Sequence, residues 1–229
     1  VLGFVVLIVA LFTSIQSLTQ TTAQIQAEAQ ATIQALQVPP TATPAINIAQ
    51  LVLPGGHLYD EQSATARLNL DEIPAQYRDA YQQAALTVVN DTPPTQSPQA
   101  PLNIRIPAIN VSSPVVAGDG WAELQRGVGH HLGSANPGER GNMVLVAHND
   151  VFGEIFKDLE KLQPGDKIYV TTQSKEYVYV VRTEEIVLPT EVRVLDNTQR
   201  NVSQVTLITC HPYRVDSHRY VVVAELETS

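Results

Sequence analysis

The stretch Thr206-Leu207-Ile208-Thr209-Cys210-His211-Pro212-Tyr213, followed by Arg219-Tyr220-Val221-Val222-Val223, decides the reading of the fold. Val205 to Thr209 is an apolar, β-branched run, and Cys210 stands where such a strand hands over to a loop. The second run begins nine residues after Cys210 and has the same strand-like texture. Pairing the two as a hairpin puts Cys210 and Arg219 at one rim, thiol beside guanidinium. A fixed positive charge near a cysteine lowers its pKa and makes it a better nucleophile at neutral pH. Cys210 is the only cysteine in the chain, so it cannot form an internal disulfide. What this local picture lacks is a base.

Working back toward the N-terminus, short β-like runs continue as far as Leu102. They are Leu102 to Ile106, Ile109 to Val116, Met143 to Ala147, Lys167 to Thr172, Lys175 to Arg182, Val192 to Leu195 and Val202 to Cys210, with Arg219 to Leu226 closing the chain. Turn signals separate them: Pro137-Gly138, Gly141-Asn142, Pro164-Gly165-Asp166 and Gln173-Ser174. Trp121 to Arg126 and Ile155 to Leu162 fit short helices. About eight short strands with little helix indicate a mainly β domain, a closed barrel or a sandwich, over residues 101–229.

The first hundred residues read differently. Val1 to Phe12 is apolar throughout apart from Gly3, and no Lys or Arg occurs before Arg67. A membrane span needs about 20 apolar residues, so residues 1–18 are expected to be a transmembrane segment truncated at its start. The lack of positive charge after it puts the remainder on the extracellular face, as a single-pass protein of the cell membrane. A signal-peptide core ending at Ala27-Glu28-Ala29 is the alternative. Residues 19–100 are expected to be a stalk and linker with one or two helices. Ile15, Leu18, Ile25 and Leu36 fall on heptad-like positions, Pro39 to Pro44 forms an extended spacer, and Asp71 to Val89 has helical spacing. Asn90 to Pro98 then marks the boundary near residue 100. The net charge of −9 and the absence of a dense basic patch argue against a nucleic-acid partner.

His148 is the candidate for the missing base. It follows the buried-strand sequence Met143-Val144-Leu145-Val146-Ala147 and opens a loop, where chemistry is displayed at the end of a barrel. Cys, His and Arg together supply a nucleophile, a proton shuttle and a cation for a developing oxyanion. Each also has a plainer reading: a buried apolar cysteine, a hydrogen-bonded loop histidine, an arginine paired with Asp216. Zinc held by His130, His131, His148, Asp150 and His211 is a rival, but neither H-x-x-x-H nor H-E-x-x-H occurs, and neither a metal nor another cofactor is expected. His211 and His218 are adjacent to Cys210 and Arg219, and adjacent side chains on an extended backbone diverge.

Several spaced stretches together resemble the sortases of bacterial cell surfaces. They are Ile104 to Val111, Gly127 to Asn142, Val144 to His148, Leu162 to Val170, Thr206 to Cys210 and Ser217 to Val222, in order over about residues 101–226. The resemblance implies an eight-stranded β-barrel and a membrane-anchored cysteine transpeptidase. It implies that Cys210 cleaves the Thr–Gly bond of an LPXTG-like sorting signal through a thioester. An amine from a cell-wall precursor or a pilin then resolves that thioester. His148 would protonate the leaving amine and deprotonate the incoming one, and Arg219 would hold the substrate carbonyl. Ala147 stands where the family more often has Gly. The lack of an Asp-Pro-aromatic lid and of a span after Glu225 points toward a class D- or E-like member. A secreted Cys-His peptidase and a non-catalytic surface module on a stalk are the alternative functions.

Overall fold

The structure, a computed structural model, describes residues 51–60, 62–63, 65–79, 97–197 and 201–227, with the isolated positions 24 and 82. The expected membrane segment, the heptad-like stalk, the proline spacer and the second half of the helix expected over 71–89, apart from position 82, lie outside these residues. Among the described residues no helix is long and apolar enough to cross a membrane.

Ten strands are described: β1 (His57–Asp60), β2 (Thr65–Leu68), β3 (Asn103–Ile106), β4 (Val111–Ala117), β5 (Val128–His130), β6 (Gly141–Val146), β7 (Lys167–Thr171), β8 (Glu176–Val187), β9 (Ser203–His211) and β10 (His218–Leu226). One short helix, α1 (Trp121–Leu124), follows β4. The strands β3 to β10 close into a barrel in the order β10-β8-β7-β3-β4-β5-β6-β9, and β1 and β2 form a separate antiparallel pair. The barrel expected from the sequence is thus the architecture found, rather than a sandwich.

Two differences in the strand count have a common cause. Val192–Leu195 is a 3-10 turn, not a strand, and Val194 is buried in a cluster on the outer wall of the barrel. Its apolar residues turn inward over one helical turn, a pattern that a short run cannot distinguish from alternation. The eighth strand is instead β5, whose three residues pair parallel to β4 and whose Gly129 and His130 pair antiparallel to β6. Its Val-Gly-His sequence carries too little periodicity to announce a strand. The helix expected over 155–162 is reduced to a 3-10 turn at Leu159–Lys161.

The barrel interior is filled by residues of one parity on each strand, including Ile104, Met143, Leu145, Ile168, Val170, Tyr179, Val205, Leu207 and Val222, with Phe156 and Leu159 closing one end. The opposite parity on three neighbouring strands is also buried. Val144, Val146, Ile208 and Val221 form an outer cluster with Val187, Val194, Leu124 and Leu53. Burial on both faces explains why Met143 to Ala147 reads as a continuous apolar run.

Residues 51–79 pack on this outer wall. Leu53 is 1% exposed within the outer cluster, and its N–H donates to the Pro189 carbonyl at 2.7 Å. The compact unit holding the barrel begins at Asn47, upstream of the boundary expected near residue 100. The region read as spacer therefore includes a part laid against the barrel. Around residue 71 the chain forms 3-10 turns, Leu70–Glu72 and Ala75–Tyr77, with Asn69 Oδ1 capping the first through the Asp71 N–H.

A buried polar knot ties β6 to β9 and to the 3-10 turn. Asn142 accepts from Thr206 Oγ1 at 2.6 Å and from Gln204 Nε2 at 3.1 Å, and donates to the Val194 carbonyl at 2.9 Å. Asn142→Ala removes that shared acceptor and the carbonyl's side-chain donor in a dry environment. A loss of about 2–4 kcal/mol in unfolding free energy is expected from urea denaturation with an unchanged m-value. A loss below about 1 kcal/mol would show that the knot contributes little.

Candidate active site

The same strand parity that builds the outer cluster aligns the three predicted site residues. In the ladders, Val146 is level with Ile208 across the parallel pair of β6 and β9, and Ile208 faces Val221 across the hairpin of β9 and β10. Moving one pleat along each strand reaches His148, Cys210 and Arg219, all on the same outer face. Cys210 and Arg219 are direct antiparallel partners, as the hairpin reading predicts. The turn after β6 is pinned where His148 leaves it: Ala147 N–H donates to the Ile208 carbonyl at 3.2 Å, and Thr209 Oγ1 donates to the Ala147 carbonyl at 2.7 Å. Asn149 Nδ2 donates to the Cys210 carbonyl at 2.7 Å, holding the loop against β9.

None of the three side chains faces solvent. Cys210 and His148 are each 2% exposed and Arg219 is fully buried. The cover is the chain's own Pro54-Gly55-Gly56-His57 and Glu72. The Gly55 carbonyl accepts from Cys210 Sγ at 3.2 Å, and the Pro54 carbonyl accepts from Arg219 Nε at 3.1 Å. Glu72 takes both terminal nitrogens of Arg219 as a bidentate pair. His57 is wedged between nucleophile and base. Its Nδ1 is 3.9 Å from Cys210 Sγ and 3.0 Å from the Gly55 carbonyl, and its ring centroid is 4.7 Å from that of His148. Its Nε2 is 2.8 Å from Asp150 Oδ1 and 3.4 Å from Asp216 Oδ2. Trp121 of α1 and Phe152 complete an aromatic enclosure of His148, with ring centroids 5.6 Å and 5.5 Å away.

The charges follow from this enclosure. Burial pushes the Cys210 thiol above its ordinary range, and the cations Arg219 and His57 offset this only in part. Arg219 does pull the thiol's pKa down, as expected, but desolvation outweighs it, so the thiol is not the activated nucleophile expected from the sequence. Burial together with the charges of His57 and Arg219 drives His148 down to about 3, so its ring is neutral. Burial works the same way on His57, but the Asp150 carboxylate, Cys210 and the Gly55 carbonyl override it and hold the ring near 11. Burial and the nearby carboxylates Asp150 and Glu72 raise Asp216 to about 6 against the pull of His57 and Arg219. The covered site thus holds a neutral thiol beside a neutral His148, and the imidazolium belongs to His57.

Comparison with known proteins bears on what such a rim does. The family model described as Sortase domain matches residues 104–227, more than half of the 229-residue chain. The chain belongs to the sortase family. Among curated sortases, Sortase A of Streptococcus agalactiae serotype III (strain NEM316) is 35% identical over 130 residues, covering 54% of this chain and 51% of that protein. Sortase D of Bacillus subtilis (strain 168) is 30% identical over 110 residues, covering 48% of this chain and 54% of that one. The chain spans about half the length of these curated relatives. Among solved structures, sortase A from Corynebacterium diphtheriae superposes with a TM-score of 0.54 at 33% identity, covering 69% of this chain and 71% of that one. Sortase E from Streptomyces avermitilis gives 0.52 at 31% identity, covering 58% and 91%.

In this sortase-family chain the other histidines weighed from the sequence stay apart from the rim. His130 Nε2 lies 3.0 Å from the Ala135 carbonyl, His131 Nδ1 is 2.6 Å from Asp119, and His211 turns toward Glu160 at 3.6 Å. His218 Nδ1 contacts Ser217 Oγ at 2.9 Å. Asp216 gives Arg219 its backbone carbonyl, while the carboxylate partner of Arg219 is Glu72, 147 residues upstream. Gly55, His57 and Glu72 are the residues that sequence reading missed. The signal was Leu51-Val52-Leu53-Pro54-Gly55-Gly56-His57, an apolar anchor ending in a tight turn inside a polar region.

Gly56 marks how closely the cover fits. A Cβ at this position would collide with Glu72 Oε2 and Arg219 Nη2, whose pairing fixes both atoms. Gly56→Ala is expected to loosen the cover by about 1–2 kcal/mol, the scale of overpacking. It should therefore speed alkylation of Cys210 by iodoacetamide by about tenfold at constant pH. An unchanged rate would show that the cover does not limit access to the thiol.

Proposed function

We propose that this chain is a surface transpeptidase that cleaves an LPXTG-like sorting signal and transfers the protein to an amine at the cell surface. The observation that carries the reading is the single row formed by His148, Cys210 and Arg219 across β6, β9 and β10. With the cover lifted, His148 takes the Cys210 thiol proton, the thiolate attacks the scissile carbonyl carbon, and the oxyanion forms against the Arg219 guanidinium. His148 gives a proton to the leaving amine, and a Cys210 thioester remains. The acceptor amine loses a proton to His148 as it attacks the thioester, a new amide forms, and the thiolate departs. The cover supports the role given to Arg219: two backbone carbonyls of the chain itself lie on Cys210 Sγ and on Arg219 Nε, as an acyl carbonyl has to. That cover carries Leu53-Pro54, the opening pair of the motif implied by the family resemblance. Catalysis requires residues 51–79 to lift from the wall so that a peptide takes their place.

The partners in this reading are surface proteins bearing a C-terminal sorting signal and an amine acceptor from a cell-wall precursor or a pilin. The apolar start of the chain and the absence of Lys or Arg before Arg67 support a membrane anchor with the barrel outside the cell. Identities of 30–35% to sortases named A, D and E set the chain in the family without favouring one class. The test is product analysis with LPXTG- and LAXTG-type peptides, with and without an added amine. Amide product that rises with amine concentration is expected. Hydrolysis alone would favour the peptidase reading. No cleavage in a Gly56→Ala chain whose thiol is accessible would favour a non-catalytic module.

A further inference from the structure

The closed site brings together more negative charge than its cations balance. Asp150, Asp216 and Glu72 surround it, against one guanidinium, Arg219, and one imidazole, His57. Glu72 is bound to Arg219, which leaves His57 alone between two carboxylates. Asp150 Oδ1 is ion-paired with His57 Nε2 at 2.8 Å, whereas Asp150 Oδ2 and Asp216 Oδ1 are buried without a hydrogen-bond partner. His57 Nε2 itself makes no well-directed hydrogen bond. Buried carboxylate oxygens without a partner call for a cation.

The donors also suit a particular kind of cation. One ligand atom from each of His57, Cys210 and Asp216 lies within 4.8 Å of the other two, and all three residues are buried. A tetrahedral zinc ion, with bonds of about 2.0–2.3 Å, sets its ligands roughly 3.5 Å apart, so inward shifts of about an ångström close the set. Sulfur, imidazole nitrogen and carboxylate oxygen are the mixed donors that select a borderline-soft divalent metal over calcium or magnesium. We propose that His57, Cys210 and Asp216 form a site for Zn²⁺ or a similar thiolate-binding divalent metal, and that the ion clamps residues 51–79 over the nucleophile. Binding releases the Cys210 thiol proton and the His57 ring proton to water, so the resting thiol becomes a metal thiolate with no change in oxidation state. With Nδ1, the ring nitrogen 3.9 Å from Cys210 Sγ, as the ligand atom, Asp150 at Nε2 orients the ring. The ligands come from two parts of the chain, His57 from the cover and Cys210 and Asp216 from the β9–β10 hairpin. The metal can therefore hold only the closed form. The zinc alternative weighed from the sequence drew on His130, His131, His148, Asp150 and His211, none of which is among these three ligands.

This inference rests on Cys210 as the nucleophile only for its inhibitory consequence, and the experiment separates the two. The full chain, stripped of metal, is titrated with Co²⁺ and followed by visible absorption and the near-ultraviolet cobalt–thiolate band, then with Zn²⁺ in competition. One Co²⁺ per chain with a thiolate band is expected. Cys210→Ser should lose the band, and His57→Ala and Asp216→Asn should each weaken binding tenfold or more. Circular dichroism of each variant shows that the barrel is intact. No thiolate band, or His57→Ala and Asp216→Asn binding as tightly as the wild type, would overturn the site. Transfer by the metal-free chain is measured on the same preparation. Transfer without cobalt binding removes the metal site and leaves the transpeptidase reading. Cobalt held through Cys210 and His57 with no transfer by the metal-free chain does the reverse.

Discussion

Cys210→Ala is expected to abolish peptide transfer, with a loss of about 10⁴-fold or more, while the barrel stays folded. The size follows from the chemistry: no other thiol exists in the chain, and every bond change in the proposed reaction passes through this sulfur. The persistence of the fold follows from the packing. Cys210 sits at the end of β9, beyond the outer cluster formed by Ile208 and its neighbours, and the register of β9 with β10 is set by eight paired positions. Removing one sulfur from this edge costs about 1 kcal/mol, small against the stability of a domain. The readouts are mass spectrometry of the trapped thioester, amide product formation and the urea midpoint. Transfer at an undiminished rate would remove Cys210 from the mechanism. Loss of transfer accompanied by unfolding would not, but a Cys210→Ser chain that folds and still fails to transfer then makes the assignment.

The residues that made the site legible were those in regular strands. Cys210, Arg219 and His148 are each at the end of an apolar run whose period is two, so their common face follows from strand parity once the three strands are neighbours. The hairpin supplies one of those adjacencies from sequence alone. The other, the parallel pairing of β6 with β9, joins segments about 60 residues apart, and no local signal encodes it. The thiol's protonation was read in the wrong direction for a related reason. A nearby arginine is visible in the sequence, whereas desolvation depends on what covers the site. That cover comes from residues with no strand pattern to speak of, held by one buried leucine, two carbonyls and a glutamate. The absence of an Asp-Pro-aromatic lid in the sequence is therefore not the absence of a cover. A different stretch, Leu53 to His57, occupies the rim.

Unseating that stretch has the second large effect. Leu53→Asp is expected to raise the rate of Cys210 alkylation by roughly two orders of magnitude, and peptide turnover with it. In the closed form residue 53 lies in the outer cluster among Val146, Ile208 and Val221, where a carboxylate meets no donor. Burying it there costs several kcal/mol, more than the segment can gain by docking, so the segment lifts and residue 53 enters water. The scale comes from the docking contacts: a buried bidentate pair such as Arg219–Glu72 contributes about 2–3 kcal/mol, which corresponds to roughly 30- to 150-fold in accessibility. Lifting also removes two of the causes that hold His148 near 3, the share of its burial that the cover supplies and the adjacent charge of His57. In the Leu53→Asp chain the His148 ring is therefore expected to titrate well above 3, toward the ordinary histidine value of about 6.5, by NMR, which makes it better able to carry a proton near neutral pH. The barrel's interior cluster is untouched by the change, so the urea midpoint should move little. A Leu53→Asp chain whose thiol reacts no faster, and whose His148 remains neutral down to about pH 4, would show that the segment neither closes the site nor sets its protonation.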